Sequence, residues 1–288
     1  MRIYNLSGRA ALGVDGGAVD IADASHGLFS PSPQQLYTRW EEFTAWASGF
    51  TGSPTLTIDE SALDSPVPLP PQVFAIGMNY REHAVEAGLP IPEIPVVFTK
   101  FPASVTGPCT TISLPEGQVD FESELVVVIG KRAENVATAD AWTHIAGLTI
   151  GQDLSERITQ WAGSAPQQFG LGKSFTGFSP LGPAVVTPDE FTDPTDLELG
   201  CTLNGVSMQK SRTSDMIFSI ADVIAYLSSI VPLLPGDVVF TGTPSGIGAT
   251  RDPKVLLRPG DELTTYIEGI GTMVHTFSTR PAPNGHSA

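Results

Sequence analysis

The chain has 288 residues, 41% of them hydrophobic, which is enough apolar material for one large core or two modest domains and argues against disorder. Its 29 Gly and 25 Pro predict many turns and short connections and therefore favour a β-rich fold. The formal net charge of −16 disfavours nucleic acid as a partner, because phosphate binding begins with positive charge.

The chain begins Met-Arg-Ile-Tyr-Asn-Leu, without the apolar run of a secretory signal peptide, and no stretch reaches the length of a membrane span. We therefore expect a cytoplasmic protein that makes no contact with a membrane. Cys109 and Cys201 lack the spacing of a metal site, so we expect reduced core thiols at both positions rather than a disulfide.

Residues 1–70 differ from the rest of the chain. Residues 2–19 alternate short apolar stretches with Gly-rich breaks, which predicts hairpin strands, and residues 33–50 carry apolar side chains at helical spacing. Prolines at positions 66, 68, 70 and 71 then predict a stiff, extended linker. We place a domain boundary there, between a small N-terminal domain (1–70) and a larger domain (71–288).

The larger part contains short apolar runs that predict strands at residues 73–77, 96–99, 125–129, 146–150 and 238–241, and a helical pattern at residues 217–230. Most connections between them contain Gly or Pro, which indicates tight turns. Residues 280–288 are expected to form a frayed tail.

A group of carboxylates leads directly into the run at 125–129. Side chains two apart in a strand share a face, so Glu122 and Glu124 point the same way, and Asp120 is a further candidate for that face. Like charges held together need a counterion. The alternative interpretation is a solvated entry to the strand that binds nothing.

A second apolar run ends at an acid, Asp153. Together with Glu122 and Glu124 it makes a hard oxygen donor set without His or Cys, which suits Mg²⁺ or Mn²⁺, with Ca²⁺ as a further candidate, rather than Zn²⁺. Such a site leaves positions for water and for the oxygens of a chelating dicarbonyl, and the ion stabilises an enolate when the bond beside the carbonyl breaks.

His83 and Glu86 are three residues apart, hence adjacent on one face if residues 79–87 are helical. A carboxylate beside an imidazole orients the ring for taking a proton from water. The alternative is an ordinary ion pair on a surface helix.

Further polar side chains follow the acidic runs. Arg157 and Gln160 are also three apart, on a predicted helix just past Asp153, and together offer one charged and one neutral donor to a substrate oxygen. Lys173 lies among glycines that permit close backbone approach, and the turn at 241–248 places the Thr243 hydroxyl after a strand. The alternatives are a solvated lysine and an ordinary Gly-rich turn, which lacks the spacing and Lys of a nucleotide-binding loop.

These motifs, in this order, resemble the fumarylacetoacetate hydrolase family over residues 73–277. They are G-M-N-Y-R-E-H-A-V-E (77–86), F-E-S-E-L (121–125), G-Q-D (151–153), G-K-S-F (172–175), R-T-S-D-M-I-F-S (212–219) and G-D-V-V-F-T-G-T-P-S-G-I-G (236–248). The resemblance implies a β-rich α+β fold, a roll of packed mixed sheets with a small N-terminal domain, which usually forms a homodimer.

By the same resemblance, Glu122, Glu124 and Asp153 are metal ligands for Mg²⁺ or Mn²⁺, and His83 with Glu86 is the water-activating pair on a lid that orders over bound substrate. Arg157, Gln160, Lys173 and Thr243 match family positions that contact substrate oxygens, and in the mechanism that we expect, Lys173 also stabilises the enolate. These roles are implied by the family and not by spacing alone.

The resemblance leaves the reaction open, since relatives hydrolyse, decarboxylate, isomerise or hydrate 2-oxo acids through an enolate stabilised by the metal. The His83/Glu86 pair favours hydrolysis, because hydrolysis needs an activated water. We therefore expect a metal-dependent hydrolase that cleaves a carbon–carbon bond in a small β-diketo acid of the acylpyruvate or fumarylpyruvate type. A decarboxylase, isomerase or hydratase of a 2-oxo acid, and a non-catalytic protein with a structural cation, are the alternatives.

Overall fold

The computed structural model describes residues 1–165 and 167–280. The strands are β1 (Arg2–Leu6), β2 (Arg9–Val14), β3 (Gly17–Asp20), β4 (Leu63–Asp64), β5 (Val73–Gly77), β6 (Val96–Thr99), β7 (Val105–Thr106), β8 (Thr111–Leu114), β9 (Val119–Asp120), β10 (Ser123–Ile129), β11 (Ile145–Gln152), β12 (Ser155–Glu156), β13 (Ser179–Val186), β14 (Glu198–Leu203), β15 (Val206–Arg212), β16 (Val238–Phe240), β17 (Glu262–Ile267) and β18 (Gly271–Thr279).

The helices are short. The α-helices are α1 (Ile21–Ala24), α2 (Pro33–Tyr37), α3 (Trp40–Ser48), α4 (Arg81–Glu86), α5 (Arg157–Gln160), α6 (Phe169–Gly172) and α7 (Ile220–Ser228). Single 3₁₀ segments lie at Glu60–Ala62, Pro102–Ser104, Thr138–His144, Pro188–Glu190, Thr213–Asp215 and Gly248–Thr250. The predicted strands of the larger part are all present, and the helix predicted at 217–230 is α7.

The strands form two main sheets and a two-stranded ladder. The larger sheet runs β3-β2-β1-β13-β11-β10-β16-β5-β6, with β4 on β1 and β7 on β13, and the smaller runs β15-β14-β17-β18-β8. Most neighbours are antiparallel, but β16 with β5, β13 with β7 and β18 with β8 are parallel. This mixed, β-rich arrangement confirms the predicted fold class.

The larger sheet separates two apolar clusters, and strand β10 contributes side chains to both. Its side chains alternate between the two faces of the larger sheet, as the pleat requires. Leu125 and Val127 pack into the cluster that contains Leu199 of the smaller sheet, whereas Val126 and Val128 face the opposite way. Because both faces are covered, the strand is an unbroken apolar run, which is why the sequence predicts it so clearly.

The N-terminal segment shares the larger sheet. Strand β1 pairs antiparallel with β13, and Ile3 and Phe43 lie in the same apolar cluster as Val126 and Val128. The hairpin strands predicted at 2–19 are present, and the helical pattern at 33–50 is divided into α2 and α3. The boundary at residue 70 stays a prediction. Strands from both sides of it belong to one hydrogen-bonded sheet.

The longest α-helices of the described residues, α3 and α7, have nine residues each, so none of these helices can span a bilayer. The tail predicted at 280–288 lies outside the described residues from 281 onward.

Candidate metal centre and active site

The register of two strands brings the three acids together. Strands β10 and β11 are antiparallel with Ser123 opposite Gln152, so the start of one strand lies beside the end of the other. Asp153 follows β11, and its backbone N–H donates to the carbonyl of Glu122 at 2.9 Å. Glu122, Glu124 and Asp153 therefore meet where β10 begins and β11 ends, and all three are buried.

Their geometry suits a divalent cation. Each residue offers a carboxylate oxygen, and these oxygens all lie within 4.8 Å of one another. Oxygen ligands lie about 2.0–2.6 Å from such ions, so two ligands on opposite sides of one ion are at most about 5 Å apart. The donor set is hard and contains no nitrogen or sulfur, which fits Mg²⁺, Mn²⁺ or Ca²⁺.

Two buried lysines flank the carboxylates. The Nζ of Lys173 donates to Glu122 Oε2 at 2.8 Å and to Asp153 Oδ2 at 2.6 Å. The Nζ of Lys100 donates to Asp153 Oδ1 and, at 2.9 Å, to the carbonyl of Phe178. Lys173 is therefore not a solvated lysine, and each oxygen of Asp153 has its own ammonium donor.

Lys100 was not singled out from the sequence. The available signal was a lone lysine in the apolar segment Val-Val-Phe-Thr-Lys-Phe, at the end of β6. A charged side chain in such a segment is buried only with a partner. Its partner, Asp153, is 53 residues away in the chain, and only the tertiary structure brings the two together.

The pKa values of Glu122 and Glu124 are shifted in opposite directions. Burial opposes ionisation of Glu122, but the charges of Lys173 and Arg157 outweigh it and lower the pKa of this residue to about 2. Glu124 has weaker compensation: burial, followed by the charges of Asp153 and Glu122, raises its pKa well above the usual value. Glu124 is thus the carboxylate that most lacks nearby positive charge, a deficit that a bound cation would fill.

The loop after β16 closes one side of the site. The backbone N–H of Gly242 donates to Glu124 Oε2 at 2.7 Å. Gly242 has φ +101°, and a Cβ at this position would lie 2.7 Å from that of Asn79, so both conformation and space call for glycine. The hydroxyl of Thr243 borders the cavity but donates to the carbonyl of Ser123 at 2.9 Å.

Asp120, the further candidate for the carboxylate face, is placed elsewhere. It accepts hydrogen bonds from Arg157 Nη2 at 2.6 Å and from the backbone N–H of Gly248 at 2.7 Å. Its physical role is to hold Arg157, whose Nη2 also donates to Glu122 at 2.7 Å. The guanidinium contacts Gln160 as well, since Nη1 donates to Oε1 at 2.8 Å.

The His83/Glu86 pair lies on α4, where the predicted helical spacing is present. The Nδ1 of His83 is 3.4 Å from Oε2 of Glu86. Glu86 also accepts from the backbone N–H of Gly246 at 3.1 Å, and Ser245 donates to Glu82 at 3.3 Å, so α4 rests on the loop after β16. The imidazole is buried and oriented by its neighbour.

One cavity of about 520 Å³ joins these groups. The three acids and every other predicted site residue except Glu86 line it; these are His83, Arg157, Gln160, Lys173 and Thr243. Glu86 reaches it through the ring of His83. A large concave site with convergent polar groups and shifted pKa values has the physical character of an active site.

The fold and the site define a β-rich protein of mixed sheets in which a buried carboxylate cluster suited to a divalent cation faces a histidine–carboxylate pair. A model of the fumarylacetoacetate (FAA) hydrolase C-terminal domain matches residues 72–278, so the chain belongs to the fumarylacetoacetate hydrolase family.

Three relatives show how this family membership extends to solved and curated proteins. The structure of a candidate HpcE protein from Mycobacterium smegmatis is 53% identical, covering 98% of this chain and 100% of that one, with a TM-score of 0.93. The mitochondrial oxaloacetate tautomerase FAHD2A of Bos taurus is 42% identical, covering 78% of this chain and 72% of that protein. Maleylpyruvate hydrolase from Sphingobium sp. SYK-6, solved with manganese(II) and pyruvate, is 26% identical, covering 98% and 100%, with a TM-score of 0.77.

The prediction of a cytoplasmic location is wrong by this comparison, because curated relatives that match the chain are described as mitochondrial. The sequence lacks an apolar signal peptide and membrane spans, which bears on secretion and on membranes but not on mitochondria. Transit peptides that direct proteins to mitochondria are amphipathic and rich in Arg, so the absence of an apolar run says nothing about them.

Proposed function

We propose that the protein is a divalent-metal-dependent hydrolase that cleaves a carbon–carbon bond in a 2,4-dioxo acid of the acylpyruvate or fumarylpyruvate type. The observation that carries this proposal is the placement of a histidine–carboxylate pair in the same cavity as the three acids. A site that only tied strands together with a cation would need neither the pair nor the cavity.

Glu122, Glu124 and Asp153 would hold the ion, Mg²⁺ or Mn²⁺, which supplies Lewis-acid stabilisation of the negative charge that develops on the 2-oxo group. Lys173 adds a second positive charge at the same place, because its ammonium lies within 2.8 Å of two of these carboxylates. The buried setting strengthens such interactions, since water does not screen them.

His83 and Glu86 activate the water. Glu86 holds the ring at Nδ1, which leaves Nε2 to take a proton from a water molecule as its oxygen adds to the C4 carbonyl. The C3–C4 bond then breaks, its electron pair moves into the enolate of pyruvate, and C4 leaves as a carboxylic acid. A proton delivered to C3 completes pyruvate.

A second candidate is the tautomerisation of oxaloacetate, favoured by the name of the relative that is 42% identical. The same groups would serve, because His83 could move a proton between C3 and the 2-oxo oxygen without adding water. The two candidates differ in their products: tautomerisation consumes no water and breaks no carbon–carbon bond.

A substrate panel with Mg²⁺ or Mn²⁺ separates them. Acetylpyruvate, fumarylpyruvate and oxaloacetate are each followed for pyruvate release, and oxaloacetate also for loss of enol absorbance. We expect pyruvate from the 2,4-dioxo acids. Enol loss without pyruvate from any substrate would identify a tautomerase, and pyruvate from oxaloacetate with carbon dioxide would identify a decarboxylase. A protein that the metal stabilises against unfolding but that turns over no substrate would fit only the alternative of a structural cation.

We also propose a homodimer. Between residues 85 and 101 the chain exposes a group of apolar side chains: Val85, Leu89, Ile91, Ile94, Val96, Val97 and Phe101. Exposed apolar side chains concentrated in one segment are typical of an interaction site, and a second copy of the chain is the occupant we expect. Light scattering should give twice the monomer mass of 30.4 kDa, and the mass of a monomer at micromolar concentration would contradict the dimer.

A further inference from the structure

The cavity has an aromatic side that the chemistry of the reacting atoms does not use. Phe98 lies against the metal centre, with its ring centroid 5.2 Å from Nζ of Lys173. Phe169 follows at 5.8 Å from Phe98, and Trp161 at 5.3 Å from Phe169. We call Phe98, Phe169 and Trp161 the aromatic wall. It runs from the buried carboxylates outward to Trp161, which is 51% exposed.

Two of the cations near the aromatic wall already form ion pairs with carboxylates. Lys173 is bound to Glu122 and Asp153, and Arg157 to Asp120 and Glu122. Of the lysines and arginines of the described residues that border the cavity, Lys254 alone has no carboxylate partner. It is exposed, and a solvated ammonium contributes little to binding an anion. The wall therefore offers dispersion and apolar contact, and among the described residues that border the cavity no buried, unpaired cation is left to bind a second carboxylate.

The size of the cavity fits a substrate with a tail. Its volume of about 520 Å³ lies within the range of about 300–1,000 Å³ for sites that bury a whole organic ligand. The pyruvyl head must lie at the carboxylates and Lys173, which leaves the wall to contact whatever is attached to C4.

We propose that this site selects substrates with an uncharged apolar tail, alkyl or aryl, over substrates whose tail ends in a carboxylate. The inference rests on the proposed function for the position of the head, and within that function it favours substrates of the acylpyruvate type over the fumarylpyruvate type, whose tail ends in a carboxylate. It separates this chain from enzymes for dicarboxylic substrates, because burying a second carboxylate against Phe98 and Phe169 without a partner is costly.

Binding of 2-oxo acids without a 4-oxo group tests the tail separately from turnover, since they cannot be cleaved by hydrolysis. The Kd values of pyruvate, 2-oxooctanoate and 2-oxoadipate are measured by calorimetry on Mn²⁺-loaded protein. We expect 2-oxooctanoate to bind at least about tenfold more tightly than either other acid, because each buried methylene adds about 0.8 kcal/mol.

Variants assign the preference to the wall. Trp161→Ala should reduce the advantage of 2-oxooctanoate over pyruvate by about tenfold or more, while Leu171→Ala, exposed on the same stretch and outside the cavity, should leave it unchanged. Lys254→Met tests the opposite view, since loss of 2-oxoadipate binding in that variant would show that Lys254 recognises a tail carboxylate.

The outcomes are distinct. Equal or tighter binding of 2-oxoadipate, or no gain of 2-oxooctanoate over pyruvate, overturns the inference. A strong preference for 2-oxooctanoate in a protein that releases no pyruvate from any acylpyruvate supports the tail selectivity and rejects the hydrolase.

Discussion

The ammonium of Lys173 lies 2.6 Å from Oδ2 of Asp153, and both side chains are buried. Asp153 and Glu122 outweigh the effect of burial on this lysine and raise its pKa, so it stays charged beside the reacting atoms. Replacing Lys173 with Met keeps the aliphatic stem and removes the charge. We expect kcat/KM for acetylpyruvate to fall, and the decrease should correspond to a loss of about 2–4 kcal/mol of transition-state stabilisation.

Lys210→Met is the matched control, because Lys210 is an exposed lysine paired on the surface with Glu198. Near-normal kinetics of Lys173→Met in a folded protein would show that the charge of Lys173 is not used and would pass its role to Arg157 or Gln160.

The carboxylate cluster predicts a specific response to metal. Mn²⁺ or Mg²⁺ should raise the Tm of the wild-type protein, because a ligand that binds only the folded state stabilises it. Glu124→Gln should remove most of that shift, whereas Glu116→Gln, an exposed acid outside the cluster, should retain it. A shift that survives in Glu124→Gln would place the ion elsewhere.

If His83 is the general base, its removal should lower turnover without weakening metal binding. His83→Ala should lower kcat for acetylpyruvate by at least about 10²-fold and keep the metal-dependent rise in Tm. His26→Asn serves as control, since His26 is exposed and Asn tolerates its positive φ of 52°. Full activity of His83→Ala would mean that the water is activated without this side chain.

Breaking the buried ion pair of Lys100 and Asp153 should lower the stability of the fold substantially. Lys100→Met leaves the Asp153 carboxylate without one of its two ammonium donors, and we expect the free energy of unfolding to fall by about 3–5 kcal/mol. The double variant Lys100→Met/Asp153→Asn should recover part of this loss. Urea unfolding measures both, and equal stability of the single variant and wild type would refute the argument.

His275 predicts how stability changes with pH. It is buried, its Nε2 lies 3.1 Å from the carbonyl oxygen of Gly107, and burial lowers its pKa from 6.5 to about 4. As the pH falls below 6.5 the unfolded chain takes up a proton at this residue that the folded chain does not take up until about pH 4. The contribution is therefore present above pH 6.5 and is lost toward pH 4, by about 3 kcal/mol.

His275→Gln removes that proton uptake but keeps a donor near Gly107. Urea unfolding at pH 7 and pH 4.5 should show a smaller loss of stability in the variant than in the wild type, because the two proteins share every other titratable group. The same pH slope in both proteins would mean that His275 does not contribute.

The sequence predicted the elements whose causes are local. Strand β10 was found because its apolar run is covered on both faces, and the meeting of Glu122, Glu124 and Asp153 followed from their places at strand ends. The helical spacing of His83 and Glu86 was correct for the same local reason. The strand and the helical spacing need only the chain within a few residues, whereas the approach of Asp153 to Glu122 also depends on the register between β10 and β11.

The remaining contacts depend on long-range pairing and could not be predicted. Lys100 gave no sign that Asp153 was its partner. Asp120, only a further candidate for the face of Glu122 and Glu124, instead accepts hydrogen bonds from α5 and from the loop after β16. Pairing of β1 with β13 joins residues 184 apart, across a proline-rich segment that suggested a boundary between domains.

The measurement that tests the central claim most directly is the release of pyruvate and acetate from acetylpyruvate by metal-loaded and EDTA-treated protein. The proposed function predicts one pyruvate and one acetate for each acetylpyruvate consumed, loss of turnover with EDTA and recovery with Mn²⁺. Protein whose raised Tm shows that it holds Mn²⁺, but which leaves acetylpyruvate intact, would contradict it.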